Sequence, residues 1–238
     1  MKNYKKNLKI LEDGHVYSKE MEHDACGVGL IASTEGKKSR KVVEYGIDAL
    51  KAVFHRGAVD ADGKTGDGAG IHLEIPSDFF AEKIELTGHK HDGSEICIGM
   101  IFLPRNNYEA QEKARTLVES ELTKSNFSIY GWRQVPVNTK VLGEKANFTK
   151  PEITQVLFKN NNKNLNGKEL ERKLYESRRK IEKESIKSAI EGFYICSLSS
   201  KSIIYKGMFL AESIADFYID LKDERFISRY AIFHQRFS

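Results

Sequence analysis

The sequence CGVGLIA at residues 26–32 is the first short apolar run that follows the polar N-terminal segment. Short apolar runs bounded by polar residues are typical of buried strands. The 25 residues before it are polar and charged with weak periodicity, so we expect residues 1–25 to form an extended leader outside the core.

Cys26 lies at the junction between this leader and the first predicted strand. If the leader were removed after Ala25, Cys26 would begin the chain with a free α-amine, whose pKa is about 7.7–8.0. Such an amine can act as the general base for its own thiol. Spacing alone still favours the simpler interpretation, a small buried cysteine.

The rest of the chain alternates between helical and strand patterns. Helices are predicted at residues 42–54, from Asp78 with Ser77 as its cap, and at residues 108–123, 168–190 and 211–217. Strands are predicted at residues 71–76, 96–103, 131–137 (an edge strand), 153–159, 193–198, 202–205 and 228–233. We expect the strands at 193–198 and 202–205 to pair as a hairpin. Many antiparallel neighbours and no long linker indicate an α+β chain.

Composition excludes several classes of protein. The net charge is +4 from 38 basic and 34 acidic residues, too small and too evenly spread to indicate nucleic-acid binding. No apolar run reaches the roughly 18 residues of a membrane helix, and the N-terminus lacks a secretory signal. Cys97 and Cys196 lie in strand-like runs and are predicted to be buried. Three unpatterned cysteines favour a reducing cytoplasm and no metal site.

Most other motifs are weak when they are taken singly. The glycine-rich loop at residues 65–70 fits neither nucleotide-binding fingerprint and leads into a strand. The charged helix at 168–190 alternates basic and acidic residues, which is typical of a salt-bridged surface. Arg56 follows a helix end, where a cation is stabilising. Arg236 could grip a carboxylate, but a surface arginine is the default interpretation.

Taken together and in order, these motifs resemble the start of glutamate synthase large chains. The resemblance runs over residues 21–238 and rests on several motifs: CGVGLIA at 26–32, HRGA at 55–58, DGKTGDGAGI at 62–71, GWRQVP at 131–136, YKGM at 205–208 and HQRFS at 234–238. The Cys-Gly and Arg-Gly elements alone would be weaker, since all class II glutamine amidotransferases use them.

The resemblance implies a fold, a reaction and a set of site residues. The fold would be a four-layer αββα sandwich of the N-terminal-nucleophile hydrolase type, with residues 1–25 as propeptide and 26–238 as an amidotransferase domain. The Cys26 thiolate would hydrolyse glutamine to glutamate and ammonia. Arg236 would grip the substrate α-carboxylate beside Phe237, and Arg56 and Gly57 would support the nucleophile pocket.

The resemblance also implies partners outside these 238 residues. In the family, ammonia passes to 2-oxoglutarate on an FMN domain with an iron–sulfur cluster, fed by a small NADPH-oxidising subunit or by ferredoxin. The family pattern continues after Ser238 with an Asn-Gly oxyanion element and an aspartate that binds the substrate amine. We therefore expect a truncated domain, incomplete at its C-terminal end and inactive alone. The alternative hypothesis is a catalytically inactive amidotransferase-like interaction module.

Overall fold

The computed structural model describes residues 2–14, 18 and 27–236. Helix α1 covers Lys2–Asp13, so the expectation of an extended leader is wrong for this segment. The other helices are α2 (Arg40–Ala52), α3 (Ser77–Glu85), α4 (Tyr108–Lys124), α5 (Glu144–Thr149), α6 (Gly167–Lys187) and α7 (Ile214–Phe217). The strands are β1 (Gly27–Ala32), β2 (Ala69–Glu74), β3 (Ile96–Leu103), β4 (Phe127–Gln134), β5 (Glu152–Asn160), β6 (Tyr194–Ser199), β7 (Ser202–Gly207) and β8 (Tyr230–Gln235).

The strands form two antiparallel sheets of four strands each. The first has the order β1-β8-β2-β7 and the second β4-β5-β3-β6. Helix α2 packs on the first sheet, while α4 and α6 pack with each other and on the second. The α+β class expected from the sequence is confirmed, and β4 is an edge strand as predicted.

The consecutive strands β6 and β7 do not pair with each other. Strand β6 pairs with β3 in the second sheet, and β7 pairs with β2 in the first. The predicted hairpin is therefore wrong, because the turn at Ser200 carries the chain from one sheet to the other. Glu171 of α6 fastens this turn by accepting hydrogen bonds from the Ser199 hydroxyl and the Ser200 backbone N–H, both at 2.8 Å.

Two hydrophobic cores hold the layers together. The larger core joins the two sheets and includes Ile71, Tyr205 and Met100. The second lies between the second sheet and its helices and includes Val156 and Leu174. Burial of these apolar side chains is the main stabilising contribution. Cys97 and Cys196 are buried in strands, as predicted.

A buried polar network also ties the sheets together. Arg133 of β4 forms a bidentate ion pair with Asp220, with N–O distances of 2.6 and 2.8 Å. The Tyr205 hydroxyl of β7 donates to the same carboxylate at 3.0 Å. Asp220 is only 4% exposed, so this charge depends on its partners.

The helices begin with different kinds of caps. Ser39 caps α2 by accepting a hydrogen bond from the Val42 N–H at 3.4 Å. The predicted cap at Ser77 is wrong, since Ser77 is already the first residue of α3 and Pro76 precedes it. The charged surface of α6 carries the expected ion pairs between residues three and four apart, Arg172–Glu176, Arg178–Glu182 and Arg179–Glu182.

Candidate active site

The candidate site lies at one end of the first sheet, where the ends of the three neighbouring strands β1, β8 and β2 are side by side. Gly27 of β1 and Ala69 of β2 both stand opposite Gln235 of β8. Gly27 directly follows Cys26, and Arg236 directly follows Gln235. Cys26 and Phe237, the predicted nucleophile and aromatic wall, lie outside the described residues, so their assignment stays a prediction.

Helix α2 brings Arg56 to this end of the sheet. The helix buries Val43, Ile47 and Leu50 and ends at Ala52, and a single 3₁₀ turn then covers Phe54–Arg56. A Cβ atom placed on Gly27 would lie 3.2 Å from the Cβ of Arg56. Arg56 is therefore in close contact with the residue that follows Cys26, and its role in supporting a nucleophile pocket stays a prediction.

Gly57 follows Arg56 and faces the side chain of Gln235. A Cβ atom at Gly57 would lie 2.1 Å from Gln235 Nε2 and 3.1 Å from Asp67 Oδ1. Any side chain larger than hydrogen would therefore collide with a buried amide, since Gln235 is 1% exposed. Glycine is required at position 57 because the Gln235 side chain comes so close to it. The backbone angle does not require glycine, since φ is −90°.

Arg236 is held by both its backbone and its side chain. Its N–H donates to the Gly68 carbonyl oxygen at 2.7 Å, and its φ is +80°. A positive φ is uncommon for a residue other than glycine and persists where surrounding contacts fix it. The side chain is 39% exposed, and its Nε lies 3.6 Å from Asp67 Oδ2. The guanidinium is therefore accessible to a ligand at the end of the sheet.

Asp67 and Gln235 belong to this site, although the sequence analysis assigned no role to either. Gln235 Nε2 donates to Asp67 Oδ1 at 3.4 Å. Asp67 Oδ2 and Gln235 Oε1 are both buried without a hydrogen-bond partner. The sequence signal for such a role is an aspartate between two glycines in the loop at residues 65–70, just before β2.

Three further hydrogen bonds fix the glycine-rich segment. Asp62 Oδ2 accepts a hydrogen bond from the Thr65 hydroxyl at 2.6 Å, and the Asp62 Oδ1 accepts from the Thr65 N–H at 2.7 Å. These bonds hold the pKa of Asp62 well below its usual value. The Thr65 hydroxyl also accepts from the Ala146 N–H of α5 at 3.3 Å. The loop is thus anchored on both sides before it reaches Asp67.

The two other thiols are not suited to nucleophilic chemistry. Burial raises the pKa of Cys196 to about 12 and raises the pKa of Cys97 strongly. Thiolates, not thiols, are the nucleophiles. Neither cysteine therefore competes with Cys26 for the role of nucleophile near neutral pH.

Within residues 2–14, 18 and 27–236, no group of three or more His, Cys, Asp or Glu residues could hold a metal ion. Among the same residues, no helix has the length and apolar character that crossing a bilayer requires.

Comparison with known proteins defines the class. The family model of class-II glutamine amidotransferases matches residues 26–238, and the chain belongs to this family. Its fold is that of the N-terminal-nucleophile hydrolases, consistent with two antiparallel sheets and their helices. The amidotransferase reaction of this family needs no cofactor.

Several relatives with sequences similar to this chain are glutamate synthases. The chain is 53% identical to the glutamate synthase [NADPH] large chain of Azospirillum brasilense, over 99% of this chain and 16% of the relative. It is 40% identical to ferredoxin-dependent glutamate synthase 2 of Synechocystis sp., over 91% of this chain and 14% of the relative. It is 39% identical to the chloroplastic ferredoxin-dependent enzyme of Spinacia oleracea, over 91% of this chain and 13% of the relative. The chain therefore spans about a sixth of the length of the Azospirillum relative that it matches.

Proposed function

We propose that this chain is the glutamine-hydrolysing part of a glutamate synthase, with Cys26 as its nucleophile. The observation that carries the proposal is the meeting of Gly27, Gly57 and Arg236 at one end of the first sheet. The family match that begins at Cys26 supports it further. Residues 1–25 would then be a propeptide and residues 26–238 the amidotransferase segment.

The chemistry would proceed in two covalent steps. The Cys26 thiolate attacks the side-chain amide carbon of glutamine, and the C–N bond breaks as the amine leaves with a proton to give ammonia. Water then attacks the resulting glutamyl thioester and releases glutamate and the thiol. The free α-amine of a processed Cys26 is a suitable base, because its pKa lies near neutrality.

Substrate binding would depend on Arg236. Its guanidinium can form two parallel hydrogen bonds with the glutamine α-carboxylate, a geometry that arginine favours. Phe237 would form the neighbouring wall. Arg56 and Gly57 would support the pocket around Cys26. In keeping with this role, a Cβ atom placed on Gly27 would lie only 3.2 Å from the Cβ of Arg56.

The ammonia would pass to 2-oxoglutarate in the remainder of a full-length glutamate synthase. That remainder is the first partner we propose, and it would carry the FMN and the iron–sulfur cluster. The chain is 53% identical to an NADPH-type large chain but 40% and 39% identical to the ferredoxin-dependent enzymes of Synechocystis sp. and Spinacia oleracea, which favours a small NADPH-oxidising subunit over ferredoxin as electron donor. We propose a cytoplasmic setting, where the thiol of Cys26 stays reduced.

The proposed function is tested on full-length glutamate synthase carrying this sequence. Cys26→Ala should abolish glutamine-dependent glutamate formation, because no thiolate remains, while ammonia-dependent formation should continue. A matched Cys196→Ala variant should keep both activities. Glutamine-dependent activity that survives Cys26→Ala would show that Cys26 is not the nucleophile.

Leader removal is tested separately by intact-mass measurement of the active enzyme. The proposal predicts a chain that begins at Cys26. An active enzyme that retains residues 1–25 would exclude the free α-amine as the base.

A further inference from the structure

Asp67 contacts two residues at the end of β8 that follow one another in sequence. Its Oδ2 lies 3.6 Å from Arg236 Nε, and its Oδ1 accepts from Gln235 Nε2 at 3.4 Å. We propose that Asp67 is a positioning residue that orients the Arg236 guanidinium for the substrate α-carboxylate. This inference rests on the proposed function, in which Arg236 binds glutamine.

The backbone supports the same arrangement. The Arg236 N–H donates to the carbonyl oxygen of Gly68, the residue after Asp67, at 2.7 Å. The φ of +80° at Arg236 turns the chain sharply at the end of β8, and such a conformation persists only where neighbouring contacts fix it. The segment Asp67–Gly68 therefore holds both the main chain and the side chain of Arg236.

The side-chain contact determines where the guanidinium points. The Asp67 carboxylate lies 3.6 Å from Nε, so its charge attracts that side of the guanidinium and favours an orientation in which the two terminal amino groups are directed away from Asp67. A bidentate contact with a carboxylate requires that direction to be correct. A small error in orientation at a substrate-binding group is costly to catalysis.

Gln235 contacts the other carboxylate oxygen of Asp67. Its amide is 1% exposed and stands against Gly57, so it has little room to move. The ring of contacts Gly57, Gln235, Asp67 and Arg236 connects the element that follows α2 with the end of β8. Asp67 is the member of this ring that carries the charge opposite to that of Arg236.

The solvent exposure of the Arg236–Asp67 ion pair indicates that it contributes to ligand binding and little to the stability of the fold. The Arg236 and Asp67 side chains are 39% and 22% exposed, and ion pairs with such access to water contribute little to stability. Asp67 Oδ2 is buried without a hydrogen-bond partner, so it acts on Arg236 by charge at 3.6 Å. Removal of this charge should therefore change the affinity for a carboxylate ligand.

The test uses full-length enzyme with the substitution Asp67→Asn. We expect the KM for glutamine to rise by about tenfold or more, as is typical for a lost contact to a charged group, with a smaller change in kcat. The matched control Asp216→Asn removes an exposed carboxylate that pairs with Lys222 at 2.7 Å, and it should leave the KM unchanged. Asp67→Glu keeps the charge and should recover part of the affinity.

A second substrate separates positioning from general damage to the fold. Glutaminamide has a neutral amide in place of the α-carboxylate, so its binding does not use the grip of Arg236 on that group. Asp67→Asn should therefore raise the KM for glutamine far more than the KM for glutaminamide. Equal loss with both substrates, or an unchanged KM for glutamine while the wild type hydrolyses it, would overturn this inference alone. Retained glutamine hydrolysis in Cys26→Ala would overturn the proposed function and this inference with it.

Discussion

Substitution of Gly57 by alanine would place a methyl group inside the candidate site. The new Cβ would lie 2.1 Å from Gln235 Nε2 and 2.9 Å from its Cδ. An ordinary contact is about 3.5 Å, so the amide must retreat by about 1.4 Å. Because Gln235 is 1% exposed, it cannot move aside into solvent.

The expected result is a loss of both local stability and glutamine turnover. Overpacking of this kind typically costs about 1–3 kcal/mol. Displacement of Gln235 also disturbs Asp67 and the adjacent Arg236, and a misplacement of about 1 Å can cost about a hundredfold in rate. We therefore predict that Gly57→Ala lowers kcat/KM for glutamine by about ten- to a hundredfold. The backbone of Gly57, with φ −90° and ψ 163°, suits alanine, so the contact alone is responsible.

Steady-state kinetics of the full-length enzyme measure this effect. The matched control is Gly46→Ala in α2, whose Cβ would lie 2.4 Å from the Cβ of Ala231; it should reduce stability without raising the KM for glutamine. Gln235→Ser shortens the opposing side chain, so the double variant Gly57→Ala with Gln235→Ser should recover part of the lost activity. Wild-type kcat/KM in Gly57→Ala would refute the packing that we describe around Arg236.

Two further predictions concern the interior and the thiols. Asp220→Asn removes the negative charge that pairs with Arg133, so it should destabilise the junction of the sheets by about 3–5 kcal/mol. Faster amide hydrogen exchange in β4 and β7 would show this loss, and unchanged exchange would contradict it. Near pH 7.5, a water-soluble thiol reagent should modify Cys26 rapidly but leave Cys97 and Cys196 unmodified in the folded enzyme, because burial raises the pKa of both thiols. Peptide mapping identifies the labelled residues, and rapid labelling of Cys97 or Cys196 would contradict their burial.

The local elements could largely be predicted from sequence. The pattern Val43, Ile47 and Leu50 gave the buried face of α2, and the predicted strand at 96–103 coincides with β3. These features depend on residues close together in the chain, where hydrophobic periodicity is informative. The leader was expected to be extended, although Lys2–Asp13 forms a helix.

The pairing of strands could not be read from local patterns. Strands β6 and β7 are separated by two residues and alternate as a hairpin would, yet each joins a different sheet. What fixes the turn is Glu171, a residue of the preceding helix. The choice of partner strand is thus set by contacts between distant segments.

The candidate site was predicted only in part, for the same reason. Arg56, Gly57 and Arg236 were singled out by resemblance to a family, and the structure brings them to the same end of the first sheet. The contact between Asp67 and Gln235 joins residues 168 positions apart. It depends on the register of β8 with its neighbours β1 and β2, which no local motif specifies.

The role of Cys26 as nucleophile can be tested by covalent labelling of the full-length enzyme with a glutamine analogue that carries a thiol-alkylating group in place of the side-chain amide. We predict that one equivalent of the analogue modifies Cys26, that Cys97 and Cys196 stay unmodified, and that glutamine-dependent turnover falls in proportion to labelling while ammonia-dependent turnover persists. Inactivation with the label on another residue, or full glutamine-dependent activity with Cys26 completely alkylated, would contradict the account.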